Sequence, residues 1–188
     1  MLDYLQILFW IITYGLIVFY SIRYYAEHQI LMPILAGSLN LAWEANALIG
    51  SNGFWGHVVW LLLDIIIYWI NVSEIQSIHR KLGYLLWTIA SFALLYFIFR
   101  IPNVNGKLVS VYIIDMIMAV EYLICIKKIS LRGKKAIAIT KLIGDLCAWL
   151  FYYKYSWIVG VSGFIVLILN LTYLITCFEN GQCKRRGI

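Results

Sequence analysis

WIVGVSGFIVLILNLTYLITCF, residues Trp157–Phe178, runs for 22 positions without a charged side chain. At about 1.5 Å of rise per residue, a helix of that length crosses the ~30 Å hydrocarbon core of a bilayer. No water is available in hydrocarbon to pair with backbone N–H and C=O groups, and a helix satisfies them within itself. The stretch therefore decides the fold class: an all-α integral membrane protein.

Working outward, six more apolar runs of similar length precede it. The spans are expected near 4–22, 30–49, 54–72, 83–100, 108–126, 136–154 and 157–178, forming one seven-helix transmembrane domain over 1–188. Gly50-Ser51-Asn52-Gly53 and Pro102-Asn103-Val104-Asn105-Gly106 break the apolar pattern between spans, and Pro33 falls in the first turn of its helix, where it is tolerated. The chain is 63% hydrophobic and 13% charged. That is about half the charged share of soluble domains, so no soluble domain is expected beside the spans. Met1–Tyr20 carries no basic leader, and the first helix is expected to act as its own insertion signal.

The placement of basic residues sets an orientation. Arg23, Arg80, Lys81, Lys127, Lys128, Arg132, Lys134, Lys135, Lys184, Arg185 and Arg186 fall on one side, eleven in all. Arg100, Lys107 and Lys154 fall on the other, and Lys141 lies inside a helix. This positive-inside bias places the amino terminus outside and the carboxyl terminus inside a multi-pass membrane, expected to be a bacterial inner membrane. The basic stretch 127–135 reads first as a topology signal and second as a site for anionic lipid heads. Cys125, Cys147, Cys177 and Cys183 form no CxxC pair and read as apolar fillers.

Five acids interrupt the spans: Glu44, Asp64, Asp115, Glu121 and Asp145. A charged side chain at the bilayer centre costs roughly 2.5–3.5 kcal/mol on insertion scales, so such residues face the protein interior or a wet cavity. Asp145 has Lys141 one turn earlier and reads as half of an i,i+4 pair. Glu121 lies near Lys127 and Lys128 and reads as structural. Asp115 has no basic neighbour in its own helix, and its role is open. Glu44 and Asp64 lack a local cation. Asn40, one turn before Glu44, is placed to hydrogen-bond it, and His57 reaches Glu44 only if their helices pack side by side. An uncharged carboxylic acid in a dry site is a proton donor, suited to acid catalysis or proton coupling.

Six of the eight tryptophans fall in the outer half. Trp55 and Trp157, at helix ends, read as an interfacial belt. Trp10, Trp43, Trp60 and Trp149 lie deeper, either as ordinary helix packing or as walls of a cavity whose π faces stabilise a cation. No metal-ligand spacing, glycine-rich phosphate loop or nucleic-acid signature is present, so neither a metal nor another cofactor is expected. Trp43 precedes Asp64 by 21 positions, and Trp149 precedes Asn170 by the same 21. That weak echo fits two three-helix units joined by a fourth helix.

Ser38-Leu39-Asn40-Leu41-Ala42-Trp43-Glu44 resembles the Asn-x-x-Trp-Glu signature of the membrane-integral terpene cyclases, known from fungal meroterpenoid pathways and with bacterial relatives. Trp60-Leu61-Leu62-Leu63-Asp64 is similar to the third helix of that family. The resemblance implies a metal-independent cyclase that protonates an epoxide or alkene of an apolar prenylated substrate. Aromatic walls would hold the carbocation until deprotonation ends the cascade. Glu44 matches the family's essential glutamate. The family also uses an aspartate near its carboxyl end, where this chain offers Asn170, so Asp145 or Asp64 takes that role or initiation differs. The expected catalytic residues are thus Glu44, Asp64 and Asp145, with Asn40, Trp10, Trp43, Trp60, Trp149 and Asn170 contacting substrate. The alternative is a small-molecule transporter of three-plus-one-plus-three helices, and a third class is a scaffold protein. Only two prolines, both near loops, argue against alternating access. The number of buried acids argues against a scaffold.

Overall fold

The computed structural model describes residues 2–23, 34–50, 55–101, 106–126 and 131–183. Seven helices fill these segments: α1 (Leu2–Arg23), α2 (Ile34–Gly50), α3 (Trp55–Glu74), α4 (Ile78–Ile98), α5 (Gly106–Cys125), α6 (Leu131–Tyr152) and α7 (Trp157–Cys183). A short 3-10 turn, Tyr153–Tyr155, leads into α7. Six of the seven are long and apolar enough to cross a membrane. The exception is α2, with 17 described residues; the first positions of its expected span, 30–33, lie outside the described residues. The protein is an all-α, multi-pass membrane bundle.

Two helix starts differ from the sequence expectation, each for a local reason, while α7 starts at Trp157 as expected. Ser77 stands in extended conformation at φ −80°, ψ 126° before α4, and its carbonyl accepts the Lys81 N–H at 3.0 Å, so α4 starts at Ile78 rather than 83. His79 therefore lies in the first turn of α4. The basic stretch expected to precede α6 is partly helical. Lys134 is buried and its ammonium donates to the Ile126 carbonyl at the end of α5, 3.4 Å away, so it is a helix cap rather than a solvated loop charge. Ser156 stops the 3-10 turn and starts α7, its Oγ accepting the Val159 N–H at 3.2 Å in N-cap fashion.

The helices form a closed ring in the order α1, α3, α2, α5, α7, α6 and back to α1, with α4 lying outside against α2 and touching α5 lightly. These neighbour relations map onto themselves when α1, α2 and α3 are exchanged for α5, α6 and α7. The exception is α4, which connects the halves. Lipid offers no hydrophobic drive between helices, so close packing and interhelical hydrogen bonds of about 0.6–2 kcal/mol hold the ring. Such bonds cross several seams. Thr13 Oγ1 meets Thr140 Oγ1 at 2.8 Å (α1–α6), and Trp43 Nε1 donates to Ser110 Oγ at 3.0 Å (α2–α5). Asn46 Nδ2 donates to the Phe92 carbonyl at 3.1 Å (α2–α4), and Trp149 Nε1 to the Gly160 carbonyl at 2.9 Å (α6–α7). Gly163 allows a close approach of α5, α6 and α7: a β-carbon there would lie 2.6 Å from Trp149 Cδ1 and 2.9 Å from the Tyr112 ring.

The radial pattern is inverted relative to a soluble protein. Large apolar side chains such as Leu62, Trp69, Phe97 and Ile124 face outward, while Asp64, Lys141, Asp145 and Asn170 are buried. Tyr14, Ile17, Ile67, Met118, Tyr122, Ile137, Tyr173 and Cys177 pack into one core cluster. They come from the later parts of α1, α3, α5 and α7 and the early part of α6. That end of the bundle is filled.

Candidate functional site

The opposite end is not filled. Between α1, α2, α3, α5 and α6 lies a cavity of ≈ 90 Å³. Helical periodicity builds its walls: Gln6, Trp10 and Tyr14 recur at one-turn spacing along α1, as do Asn40 and Glu44 on α2, Val111 and Asp115 on α5, and Ala148 and Tyr152 on α6. Trp60 of α3 and Tyr112 of α5 complete them. A second space of ≈ 310 Å³ shares Gln6, Val111 and Tyr152 with the first and adds Trp43, His57, Lys107 and Tyr155 at the bundle end. The core cluster forms the floor, and this second space lies on the side of the mouth.

Glu44 is the acid of the α1–α3 half. It is buried, and its Oε2 lies 2.7 Å from His57 Nδ1. The His57 ring in turn packs on Trp43 and Trp60, with ring centroids 5.6 and 5.7 Å apart. The expected bond between Asn40 and Glu44 is replaced by others. The Asn40 amide donates to the Tyr14 hydroxyl and to both oxygens of Asp64, at 3.2 and 3.0 Å from Oδ1 and Oδ2. Asn40 thereby stands between Asp64 and the cavity, and Asp64 lies among groups behind the wall.

The α5–α7 half holds a second cluster. Lys141 Nζ bonds Asp145 Oδ2 at 2.9 Å and lies 3.7 Å from Asp115 Oδ1. The Asn170 amide donates to the same Asp145 oxygen. Trp10 covers the ammonium, its ring centroid 4.6 Å from Nζ, an arrangement in which the π face offsets part of the cost of burying the charge. Asp115, for which the sequence offered no partner, acquires one from another helix and lines the cavity.

Of the nine site residues expected from sequence, Trp10, Asn40, Glu44 and Trp60 converge on the inner cavity, and Trp43 lines its mouth. Asp64 is one layer behind. Asp145 and Asn170 are joined to each other beside Lys141 and are not among the cavity-lining residues. Trp149 faces α7, bonded to the Gly160 carbonyl and packed on Phe164, so the helix-packing reading describes it. Sequence reasoning missed Gln6, Tyr14, Val111, Tyr112, Ala148 and Tyr152 as wall residues and left Asp115 open. Only Tyr14 carried a usable signal, lying one turn beyond Trp10. Glu121 is structural, though its partner is the Ala36 N–H at 2.6 Å, in the first described turn of α2. Lys127 and Lys128, its expected partners, lie outside the described residues.

Three polar atoms of the wall have no hydrogen-bond partner among the described residues: Trp60 Nε1, Tyr112 Oη and Gln6 Oε1. Buried polar groups in proteins are paired as a rule, so a cavity bearing three such atoms is suited to a ligand with its own hydrogen-bonding groups. Among the described residues no three His, Cys, Asp or Glu side chains converge as metal ligands would. No protein-family model, curated protein or solved structure matches the chain. Its functional reading therefore rests on the motifs in α2 and α3 and on the cavity they help to enclose.

Proposed function

We propose that the protein is a metal-independent terpene cyclase. In this reading Glu44 protonates an epoxide or alkene of an apolar prenylated substrate and starts a carbocation cyclisation in the cavity. The observation that carries the reading is the position of Glu44: a buried carboxyl group on the wall of a chamber that is floored by the apolar core and flanked by Trp10, Trp60, Tyr14 and Tyr112. Proton donation to an epoxide oxygen breaks a C–O bond and leaves a tertiary cation. Aromatic faces stabilise such a charge without a nucleophilic atom that would trap it. The volume of ≈ 90 Å³ suits the reacting end of a prenyl chain, with the remainder reaching into the ≈ 310 Å³ space at the mouth. The proposed setting is a bacterial inner membrane with the mouth outward, an orientation supported by the eleven-to-three asymmetry of basic residues.

A second reading, transport of a small molecule, is favoured by one feature. The ring maps onto itself on exchanging α1–α3 for α5–α7, and the cavity lies between the halves, as in carriers built from parallel repeats. The two separate in one experiment. Membranes containing the protein are incubated with prenylated phenols and their terminal epoxides, with Glu44→Gln as the control, while liposomes are tested for uptake of polar solutes. Cyclised products that depend on Glu44 support the enzyme. An untouched prenyl panel together with solute uptake overturns it.

A further inference from the structure

The chamber wall bears two carboxyl groups, and only one has a role so far. Of the five acids that interrupt the apolar spans, Asp64 is held behind Asn40, Asp145 is bonded by both Lys141 and Asn170, and Glu121 is bonded to the backbone of α2. Glu44 and Asp115 are the two that line the cavity. They come from opposite halves of the ring, α2 and α5. We infer that Asp115 is the base that ends the reaction, taking a proton from the last carbocation. This rests on the cyclase reading.

The surroundings of Asp115 fit a proton acceptor. Lys141 lies 3.7 Å away, near enough for its positive charge to act on the carboxylate and too far to hold an oxygen by a hydrogen bond. The direct bond of Lys141 goes to Asp145, at 2.9 Å. Asp145 therefore fixes the ammonium, and the ammonium supplies charge to Asp115, which lines the cavity. Tyr112, three residues earlier on the same helix, presents a buried hydroxyl with no partner among the described residues to the same chamber. It can hold a substrate oxygen beside Asp115.

The chemistry balances as an isomerisation. The carboxyl group of Glu44 gives its proton to the epoxide oxygen, the C–O bond breaks, and alkene electron pairs close the ring or rings as C–C bonds. At the final cation an adjacent C–H bond breaks and its electron pair becomes the product double bond. The proton passes to Asp115. Exchange with water then returns a proton to Glu44 and removes the one on Asp115, so no oxidant or second reactant is consumed. A base fixed at one point of the wall removes one particular proton, so Asp115 sets which alkene forms.

The test uses the whole protein in membranes with the terminal epoxides of geranylated and farnesylated phenols, products being resolved by mass spectrometry. Asp115→Asn should consume epoxide within about tenfold of the wild-type rate while the main alkene falls by more than about tenfold, replaced by isomeric alkenes and by alcohols from capture of water. Asp115→Glu should restore the main alkene in part. Thr172→Val, on the exposed face of α7 where the hydroxyl bonds only the Ile168 carbonyl, should keep the wild-type product pattern. Where Asp115→Asn does not yield a monodisperse protein, Asp115→Ser replaces it as the neutral variant. A wild-type product pattern from the neutral variant overturns this inference and leaves the cyclase reading standing. A wild-type protein that consumes no epoxide overturns both.

Discussion

Nδ1 of His57 lies 2.7 Å from Oε2 of Glu44 and joins the first turn of α3 to the later part of α2. His57 also borders the space at the mouth, whereas Glu44 borders the inner chamber. The pair therefore connects the buried acid to the side from which protons can return. His57→Ala should slow turnover by about 10²-fold, within the range for loss of a positioned proton-transfer group. Imidazole in the buffer should recover part of the rate. Steady-state turnover with and without imidazole checks this, and an unchanged rate would show that Glu44 exchanges its proton by another route.

Asp64 and Glu44 are separated by function although both stand in the motifs. Asn40 donates to both oxygens of Asp64, and Asp64→Asn keeps one oxygen to accept that bond. Activity should therefore stay within about tenfold of wild type, less than the 10²–10⁴ expected when a general acid is lost. A loss as deep as that of Glu44→Gln, in a folded protein, would move Asp64 into the catalytic set.

Lys141 is buried among Asp115, Asp145 and the face of Trp10. Lys141→Met leaves two carboxyl groups without their cation, and loss of one partner of a buried pair costs about 3–5 kcal/mol. The double variant Lys141→Met/Asp145→Leu removes the stronger pair together and should recover most of that loss. Thermal unfolding in detergent compares the three proteins. Equal melting temperatures for the single and double variants would contradict the pairing.

Ala148 has its methyl group on the chamber wall. Ala148→Phe should occupy much of the ≈ 90 Å³ and suppress turnover while leaving thermal stability within about 1–3 kcal/mol of wild type, the usual range for added core volume. Turnover and melting measured on the same preparation distinguish a blocked site from a lost fold.

The helices were legible because each span is an unbroken apolar run, and lipid leaves such a run no other structure. Their ends were less so. Ser77 starts α4 earlier, and the buried Lys134 reads in the sequence like one more solvated charge. Within the site, the Lys141–Asp145 pair is local to one helix and shows in the spacing. The pairs Asn40–Asp64, Glu44–His57 and Lys141–Asp115 cross between helices, and a single chain does not reveal which helices are neighbours. Asp115 could not be placed for that reason, and Trp149 read as a wall residue although it packs on α7.

In the proposed reaction Glu44 supplies the proton. The most direct measurement is the rate of cyclisation of an epoxidised prenyl phenol by wild type and Glu44→Gln, on membranes carrying equal amounts of folded protein. Glutamine retains the volume and can still hydrogen-bond His57, so the difference isolates the acidic proton. Wild type should give cyclised product, and the rate should fall about 10²–10⁴-fold in the variant. Equal rates from the two proteins would contradict it.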